Sequence, residues 1–255
     1  MRFASLGSGS KGNALVVEAG GTRLLLDCGF GLAATVARLA RLGLVPEDLS
    51  GIVVTHEHDD HIGGVARLAR RHGIPVWLTP GTLAGFEALF ADVTQVSMIH
   101  NYETFAIGDL QVQPFPVPHD AREPAQYVFG DGARRLGVLT DVGCSTRHIE
   151  ATLSGCDALV LECNHDAGML RASSYPQKLR DRIAGRFGHL DNIAAAELLS
   201  RLDNGKLKHL VAAHLSQENN RPDLARAALA AVMNCAPDWI AIADQDEGLA
   251  WREIN

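Results

Sequence analysis

The chain has 255 residues, 47% of them hydrophobic, a formal charge of −7 and five scattered cysteines. That is enough to bury a core in one domain spanning residues 1–255, while the acidic balance argues against a generally basic nucleic-acid surface, though not against a local groove or a site whose charge is offset by bound divalent cations. No apolar run nears the roughly 20 residues that cross a bilayer, the opening MRFASLGSGSKGN lacks a secretory apolar stretch, and an odd set of cysteines without a C-x-x-C pair suggests reduced thiols rather than disulfides or thiolate zinc, so a cytoplasmic protein with no membrane partner is expected.

Strand-like runs at 14–19 and 22–26 flank Gly20-Gly21, a pair that can take the positive φ of a tight hairpin turn. Apolar residues at spacings of three and four then predict a helix over 32–42, followed by a strand at 52–55, a helix over 62–72, a strand at 76–78 and a helix over 81–90. Strand-like segments at 110–117, 126–129, 136–140 and 158–161 precede a helix over 193–202, a strand at 207–213 and a last helix over 223–233. Asn192 is placed to cap the fourth of these helices, and Pro222 lies near the first turn of the fifth, where its missing N–H costs nothing. No repeat, low-complexity tract or long polar linker interrupts the chain. The strands cluster instead of alternating strictly with helices, which favours a layered α/β (α+β) fold with helices covering stacked sheets.

Residues 51–64 read GIVVTHEHDDHIGG, a buried-strand run followed by His56, His58, Asp60 and His61 within six positions and then a pair of glycines leading into a helix. An extended segment turning into a helix start can aim alternate side chains at one point, and imidazole with carboxylate suits zinc, manganese or iron. One catalytic metal takes about three protein ligands and keeps a position open. The cluster exceeds that, so two divalent ions are implied.

The H-x-H-x-D-H string resembles the metallo-β-lactamase superfamily over nearly the whole chain. More narrowly, the chain is similar to the YycJ/WalJ-type, exonuclease-like branch through GSGSKGNALVVE (7–18), LLLDCGFG (24–31), THEHDDHIGG (55–64), LTDVG (139–143), LECNHD (161–166), YPQKLRDRI (175–183), GHLDN (188–192) and AAHLSQENNRP (212–222). The resemblance implies an αββα sandwich with metals at one edge of the sheets. It also implies that His56, His58 and His119 hold one ion, that Asp60, His61 and His214 hold the other, and that Asp141 bridges them. PVPHD (116–120) and LTDVG each put their ligand just after a strand, where it can be held rigidly; the alternative for His119 is a loop histidine near Asp120. Asp27 resembles the aspartate that orients a ligand histidine. His189, just ahead of the helix near Asn192, resembles the extra histidine that contacts the scissile phosphate or assists the leaving group, and could share an anion site with that helix's free N–H groups. His165 stands between outer support of the metals and phosphate contact.

The glycine-rich GSGSKGN at 7–13 lacks the G-x-x-x-x-G-K-[ST] spacing of a nucleotide loop, so no nucleotide cofactor is expected. Ser8, Ser10, Lys11 and Asn13 could instead line the active-site edge. Asn219, Asn220 and Arg221 are either substrate contacts or ordinary helix-start chemistry. With no serine or cysteine nucleophile in a recognisable setting, the economical mechanism is attack by hydroxide generated on the metals, positioned by Asp60 and Asp141, with His189 stabilising or protonating the departing oxygen. The resemblance makes the substrate a DNA phosphodiester cut 5′-to-3′. A small cyclic phosphodiester, a lactone or thioester, and a metal-binding scaffold without turnover are the alternatives. With aromatics at 5%, no stacking platform stands out, and the short basic groups Arg67-x-x-Arg70-Arg71, Arg134-Arg135 and Lys178-x-Arg180-x-Arg182 read equally well as solvated faces.

Overall fold

A computed structural model describes residues 1–255. The first half winds through β1 (Arg2–Gly7), β2 (Ala14–Ala19), β3 (Thr22–Leu26), α1 (Leu32–Arg41), β4 (Gly51–Val53), α2 (Asp59–Ile62), α3 (Val65–His72), β5 (Val76–Leu78), α4 (Pro80–Phe90) and β6 (Val96–Met98). The second half runs through β7 (Phe105–Ile107), β8 (Leu110–Pro116), β9 (Ala125–Gly130), β10 (Arg135–Leu139), α5 (Arg147–Leu153), β11 (Ala158–Glu162), α6 (Ala167–Ala172), α7 (Gln177–Ile183), α8 (Asn192–Arg201), β12 (His209–Ala213), α9 (Pro222–Met233) and β13 (Ala241–Ile242). The last strand, β14 (Leu249–Glu253), returns to the first sheet and pairs antiparallel with β1.

Two seven-stranded sheets result, ordered β14-β1-β2-β3-β4-β5-β6 and β13-β12-β11-β10-β9-β8-β7. Their inner faces share a core that includes Val17, Leu24, Leu26, Tyr127, Phe129, Val138, Val160 and Val211. The outer face of the first sheet packs Val16, Leu25 and Ile52 against Leu39 of α1 and Val65 and Leu68 of α3. The second sheet sets Leu139, Leu159 and Leu161 against α5, α8 and α9 through Ile149, Leu198 and Leu229. The αββα sandwich is thus present as expected. Because both faces of each sheet are covered, strands such as Thr22–Leu26 and Ala158–Glu162 read as near-continuous apolar runs, with successive residues serving opposite layers. Each fully buried Leu or Val contributes about 1.5–3 kcal/mol. No helix is long and apolar enough to cross a membrane.

The β2–β3 hairpin turns at Gly20 with φ +55°, as the glycine pair predicts. Elsewhere the structure corrects the sequence reading. The helix expected over 62–72 is two, α2 and α3, parted at Gly63-Gly64, where Gly64 lies against the carbonyls of Phe30 and Cys28 with no room for a Cβ. Asp191, not Asn192, caps α8 by accepting from Ile193 N and Ala194 N. Strands β1, β6, β7, β13 and β14 and helices α5, α6 and α7 are additions. Most are short, and α7 buries no residue, so no core-facing stripe marks it.

Candidate active site

The site residues follow the C-terminal ends of six strands. β3 leads to Asp27, β4 to the 55–61 loop, β8 to His119, β10 to Asp141, β11 ends in Glu162, and β12 leads to His214. β3 and β4 are parallel, as are β10, β11 and β12, and β8 runs with β10 because β9 is antiparallel to both. Asp27, Asp141 and His214 all adopt left-handed backbone, with φ of +61°, +53° and +55°. For non-glycine residues this costs about 1–3 kcal/mol each, a strain that persists where the surroundings hold it for function. Here it ends each strand abruptly and turns the side chain into the site.

On one side His56, His58 and His119 converge, with His56 Nε2 3.0 Å from His58 Nδ1 and His119 Nε2 3.2 Å from the same atom. Their outward nitrogens fix the tautomers. His119 Nδ1 donates to the Gly188 carbonyl at 3.1 Å. Thr55 Oγ1 gives its proton to Asp27 Oδ2 and so accepts from His56 Nδ1 at 2.9 Å. The inward Nε2 atoms of His56 and His119 therefore carry lone pairs. Burial holds the His56 imidazole well below its usual range and lowers that of His119, so both are neutral. Both lone pairs point at the single His58 Nδ1, whose one proton can meet at most one of them, so a cation among the three nitrogens suits the arrangement better.

The other side is rich in carboxylates. His61 Nδ1 donates to Asp27 Oδ2 at 2.8 Å, and its Nε2 lies 3.0 Å from Asp141 Oδ2 and 3.5 Å from Asp60 Oδ2. His214 Nδ1 donates to Glu162 Oε1 at 3.0 Å, while its Nε2 is 3.5 Å from Asp60 Oδ2. Burial would depress both imidazoles, but the carboxylates outweigh it: Asp141, Asp27 and Asp60 hold His61 well above the imidazole range, and His214 is pushed up to about 10. Asp141 Oδ2 and His214 Nε2 are buried and make no well-aligned hydrogen bond, each facing only a charged neighbour, the His61 imidazole at 3.0 Å and the Asp60 carboxylate at 3.5 Å. Unsatisfied buried polar atoms are costly and call for an explanation. Divalent cations supply one, since the donor set meets their ligand chemistry on both sides and the carboxylates invite positive charge. The two clusters adjoin, and Asp141 lies within reach of each.

Glu162 is the centre of the second side, and sequence reasoning missed it as a site residue. It is fully buried and accepts from His189 Nδ1 (2.8 Å), His214 Nδ1 (3.0 Å) and the backbone N–H groups of Asp141 (3.1 Å), Val142 (3.0 Å) and Leu190 (3.1 Å). Burial works against its charge, yet the His189 and His214 contacts prevail and its carboxyl falls to about 2. The available signal was a carboxylate closing an apolar strand, LVLE, just as Asp27 closes LLLD.

An open cleft of about 420 Å³ leads to these groups. His189 lines it, its Nδ1 tied to Glu162, and Ser10 and Asn164 lie on its wall. The other expected residues divide. Asp27 accepts from His61 Nδ1, the contact that an orienting role requires. Ser8 accepts from the His214 N–H at 2.9 Å, and the Asn13 amide nitrogen lies 3.1 Å from His61 Nε2 and 3.3 Å from Asp60 Oδ2, so both steady ligand residues instead of lining the cleft. Lys11 is exposed and outside the cleft wall. Asn219 and Asn220 are buried away from the cleft; Asn220 exchanges two side-chain hydrogen bonds with Asn192 and donates to the Cys163 carbonyl, and neither asparagine caps α9. His165 lines a separate hollow behind α6 and α7, with Nδ1 3.3 Å from Asn164 Oδ1. The anion site expected at the α8 N-terminus is closed, because Asp191 already takes those N–H groups. Arg182, read as a possible solvated face, lines the cleft and is ion-paired to Asp120.

The profile of the Beta-lactamase superfamily domain matches residues 22–214. The chain belongs to the metallo-β-lactamase superfamily. Within that superfamily it falls in the YycJ/WalJ-type branch, being 37% identical over 237 residues to Exodeoxyribonuclease YycJ of Bacillus anthracis, across 91% of this chain and 89% of the relative. It is 35% identical over 228 residues to Exodeoxyribonuclease WalJ of Streptococcus pneumoniae, across 88% and 85% of the two chains. Two solved structures share the superfamily fold. The metallo-β-lactamase fold protein YhfI of Bacillus subtilis has a TM-score of 0.75 at 18% identity over 99% of each chain. Zn(2+)-bound PqqB of Methylobacterium extorquens has a TM-score of 0.72 at 21% identity over 99% of this chain and 100% of its own. Fold, family and ligand clusters together make this superfamily member a metal-dependent hydrolase with a dinuclear site capable of phosphoester hydrolysis.

Proposed function

We propose that the chain is a cytoplasmic phosphodiesterase acting on DNA, as a 5′-to-3′ exonuclease, with residues 1–255 forming one hydrolase domain. The observation that carries the phosphodiester assignment is His189. Its Nδ1 is fixed on Glu162, its imidazole is raised in pKa because Glu162 and Asp141 overcome burial, and it lines the cleft beside Asp141 and His214. A charged imidazole there offers a proton to an anionic oxygen or a leaving alkoxide. DNA as the substrate rests on the two exodeoxyribonuclease relatives, each similar over more than four fifths of both chains.

In this reading His56, His58 and His119 hold one ion, Asp60, His61 and His214 the other, and Asp141 lies between them. Zinc or manganese, or iron, bound there would supply Lewis acidity, polarising a phosphoryl oxygen and making water acidic enough to attack near neutral pH. Asp60 and Asp141 orient the attacking water and balance charge. His189 donates to the departing oxygen and Glu162 keeps it charged and aimed. Asp27 and Thr55 hold His61 and His56 in the tautomers that face inward.

The test is cleavage of 5′-labelled duplex and single-stranded DNA by protein loaded separately with manganese and zinc, with a His56→Ala, His58→Ala blank. Stepwise nucleotide release by the intact protein alone is expected. Absence of release beside turnover of a small cyclic diester would transfer the assignment to small phosphodiesters, a reading that the modest cleft volume favours.

A further inference from the structure

The cleft has two chemically opposed walls. One is polar throughout, with His58, Asp60, Asp141, His189 and His214. The other carries the only apolar side chains that line the cleft, Tyr175, Leu179 and Ile183, with Arg182 beside them. Leu179 and Ile183 stand one turn apart on α7, and Tyr175 comes just before the helix begins. α7 buries no residue in the core, so this stripe does not serve folding in the way that the stripes of α1 and α8 do. An apolar strip turned toward a cleft beside charged groups suits a ligand with one flat apolar end and one anionic end.

We infer that Tyr175, backed by Leu179 and Ile183, is the stacking surface for the nucleobase of the nucleotide whose phosphate lies against the polar wall. This rests on the phosphodiesterase reading and adds to it the part of the substrate that is recognised. Pro176 follows Tyr175 at the N-cap position of α7; a residue before proline is restricted to extended backbone, which reduces the backbone freedom Tyr175 gives up on binding. Every base has a π face, so such a platform accepts any of the four, as an enzyme that removes successive nucleotides requires. At about 420 Å³ the cleft lies in the range of small-ligand pockets and has room for one nucleotide unit.

The experiment compares the affinities of thymidine 5′-monophosphate and 2-deoxyribose 5-phosphate, which lacks the base, for the zinc-loaded protein by calorimetry. In the unaltered protein the base should improve affinity about tenfold, within the range of base–aromatic stacking. Tyr175→Phe should keep that ratio, Tyr175→Ala should bring it to about one, and Leu179→Ala should lower it by about threefold while the ring stays in place. Circular dichroism of each variant confirms folding, and the Phe substitution preserves shape where Ala does not. Equal ratios in all four proteins, or no advantage from the base in the unaltered one, would overturn the inference, as would failure of both ligands to bind at millimolar concentration. Hydrolysis is not read in this measurement, so a protein that cleaves no diester yet keeps the base-dependent ratio would sink the phosphodiesterase reading alone.

Discussion

The two sheets solve the same problem with one buried carboxylate each, and they solve it differently. Asp27 follows β3 and Glu162 ends β11; each is followed by a buried cysteine, Cys28 or Cys163. The N–H of Cys28 donates to the His61 carbonyl and that of Cys163 to the carbonyl of Ala213, the residue before His214, so each strand end is stitched to a ligand-bearing segment. Asp27 accepts from one imidazole, one hydroxyl and one backbone N–H, and burial dominates to raise its pKa. Glu162 accepts from two imidazoles and three N–H groups, and its carboxyl falls to about 2 against the same burial. What a buried carboxylate becomes is thus decided by how many donors surround it. Asp27 reaches both metal clusters, through His61 directly and through Thr55 to His56. Glu162 bonds a histidine of only one cluster, His214, but also His189, which lines the cleft.

That contrast is broken most severely at Glu162. In Glu162→Gln the amide oxygen can serve the imidazoles and Asp141 N, which leaves the NH2 group facing the Val142 and Leu190 N–H donors. Stranding buried donors should lower the stability of the metal-free protein by about 3 kcal/mol, read in thermal unfolding. Activity on a phosphodiester should fall by about 100-fold, the upper end for loss of an outer partner, since a ligand and His189 are loosened together. Retained activity and melting temperature would mean that the five contacts are incidental. Asp27→Asn is milder and distributed otherwise. Its NH2 group facing His61 Nδ1 favours the tautomer with a proton on Nε2, the nitrogen needed for a metal, so affinity should fall about tenfold. Metal titration followed by elemental analysis separates the two. Glu162→Gln should keep one ion, on the His56, His58 and His119 side, whereas Asp27→Asn should weaken both. Identical stoichiometries would erase the distinction drawn between the carboxylates.

The two sides also differed in how far they could be read from the sequence. His56, His58, Asp60 and His61 sit within six residues, so one loop declares itself. On the second sheet the groups come singly from strand ends far apart in the chain, and only tertiary structure shows that Asp141, Glu162, His189 and His214 meet. A lone carboxylate after LVL carries no period and no motif of its own, which is why His165, three residues on, drew attention that belonged to Glu162. The layered fold was legible because both sheet faces are covered and their strands are apolar throughout. The short edge strands and α5 to α7 were not, because pairing and position, not propensity, hold them. Tyr175 went unassigned and Arg182 read equally well as a solvated face for the same reason: nothing local says that α7 borders a cleft.

The smallest effect concerns the cysteines beside the two carboxylates. Burial pushes the Cys28 thiol up to about 11; contacts with Thr35 and the Phe30 backbone pull the other way, and the neighbouring Asp27 charge adds a smaller rise. Burial raises Cys163 further, and there Glu162 and Asp191 add to the rise. A raised thiol pKa favours the neutral form, so the nucleophilic thiolate grows only as pH climbs; at pH 8 a group near 11 is about one thousandth ionised. Cys156 is buried and likewise pushed up to about 11, whereas Cys144 and Cys235 are half-buried. A thiol reagent at pH 8 should therefore label Cys144 and Cys235 in the native protein and all five cysteines once it is unfolded. Raising the pH toward 10 should recruit Cys28 before Cys163, because thiolate at Cys163 must form beside the Glu162 charge. Peptide mapping after short labelling reads the order directly. In Glu162→Gln that charge is gone, so the gap between the two cysteines should narrow, while Asp27→Asn should leave Cys163 as slow as before. Equal rates at Cys28 and Cys163 in the unaltered protein would show that access alone, and not the neighbouring carboxylate, governs them.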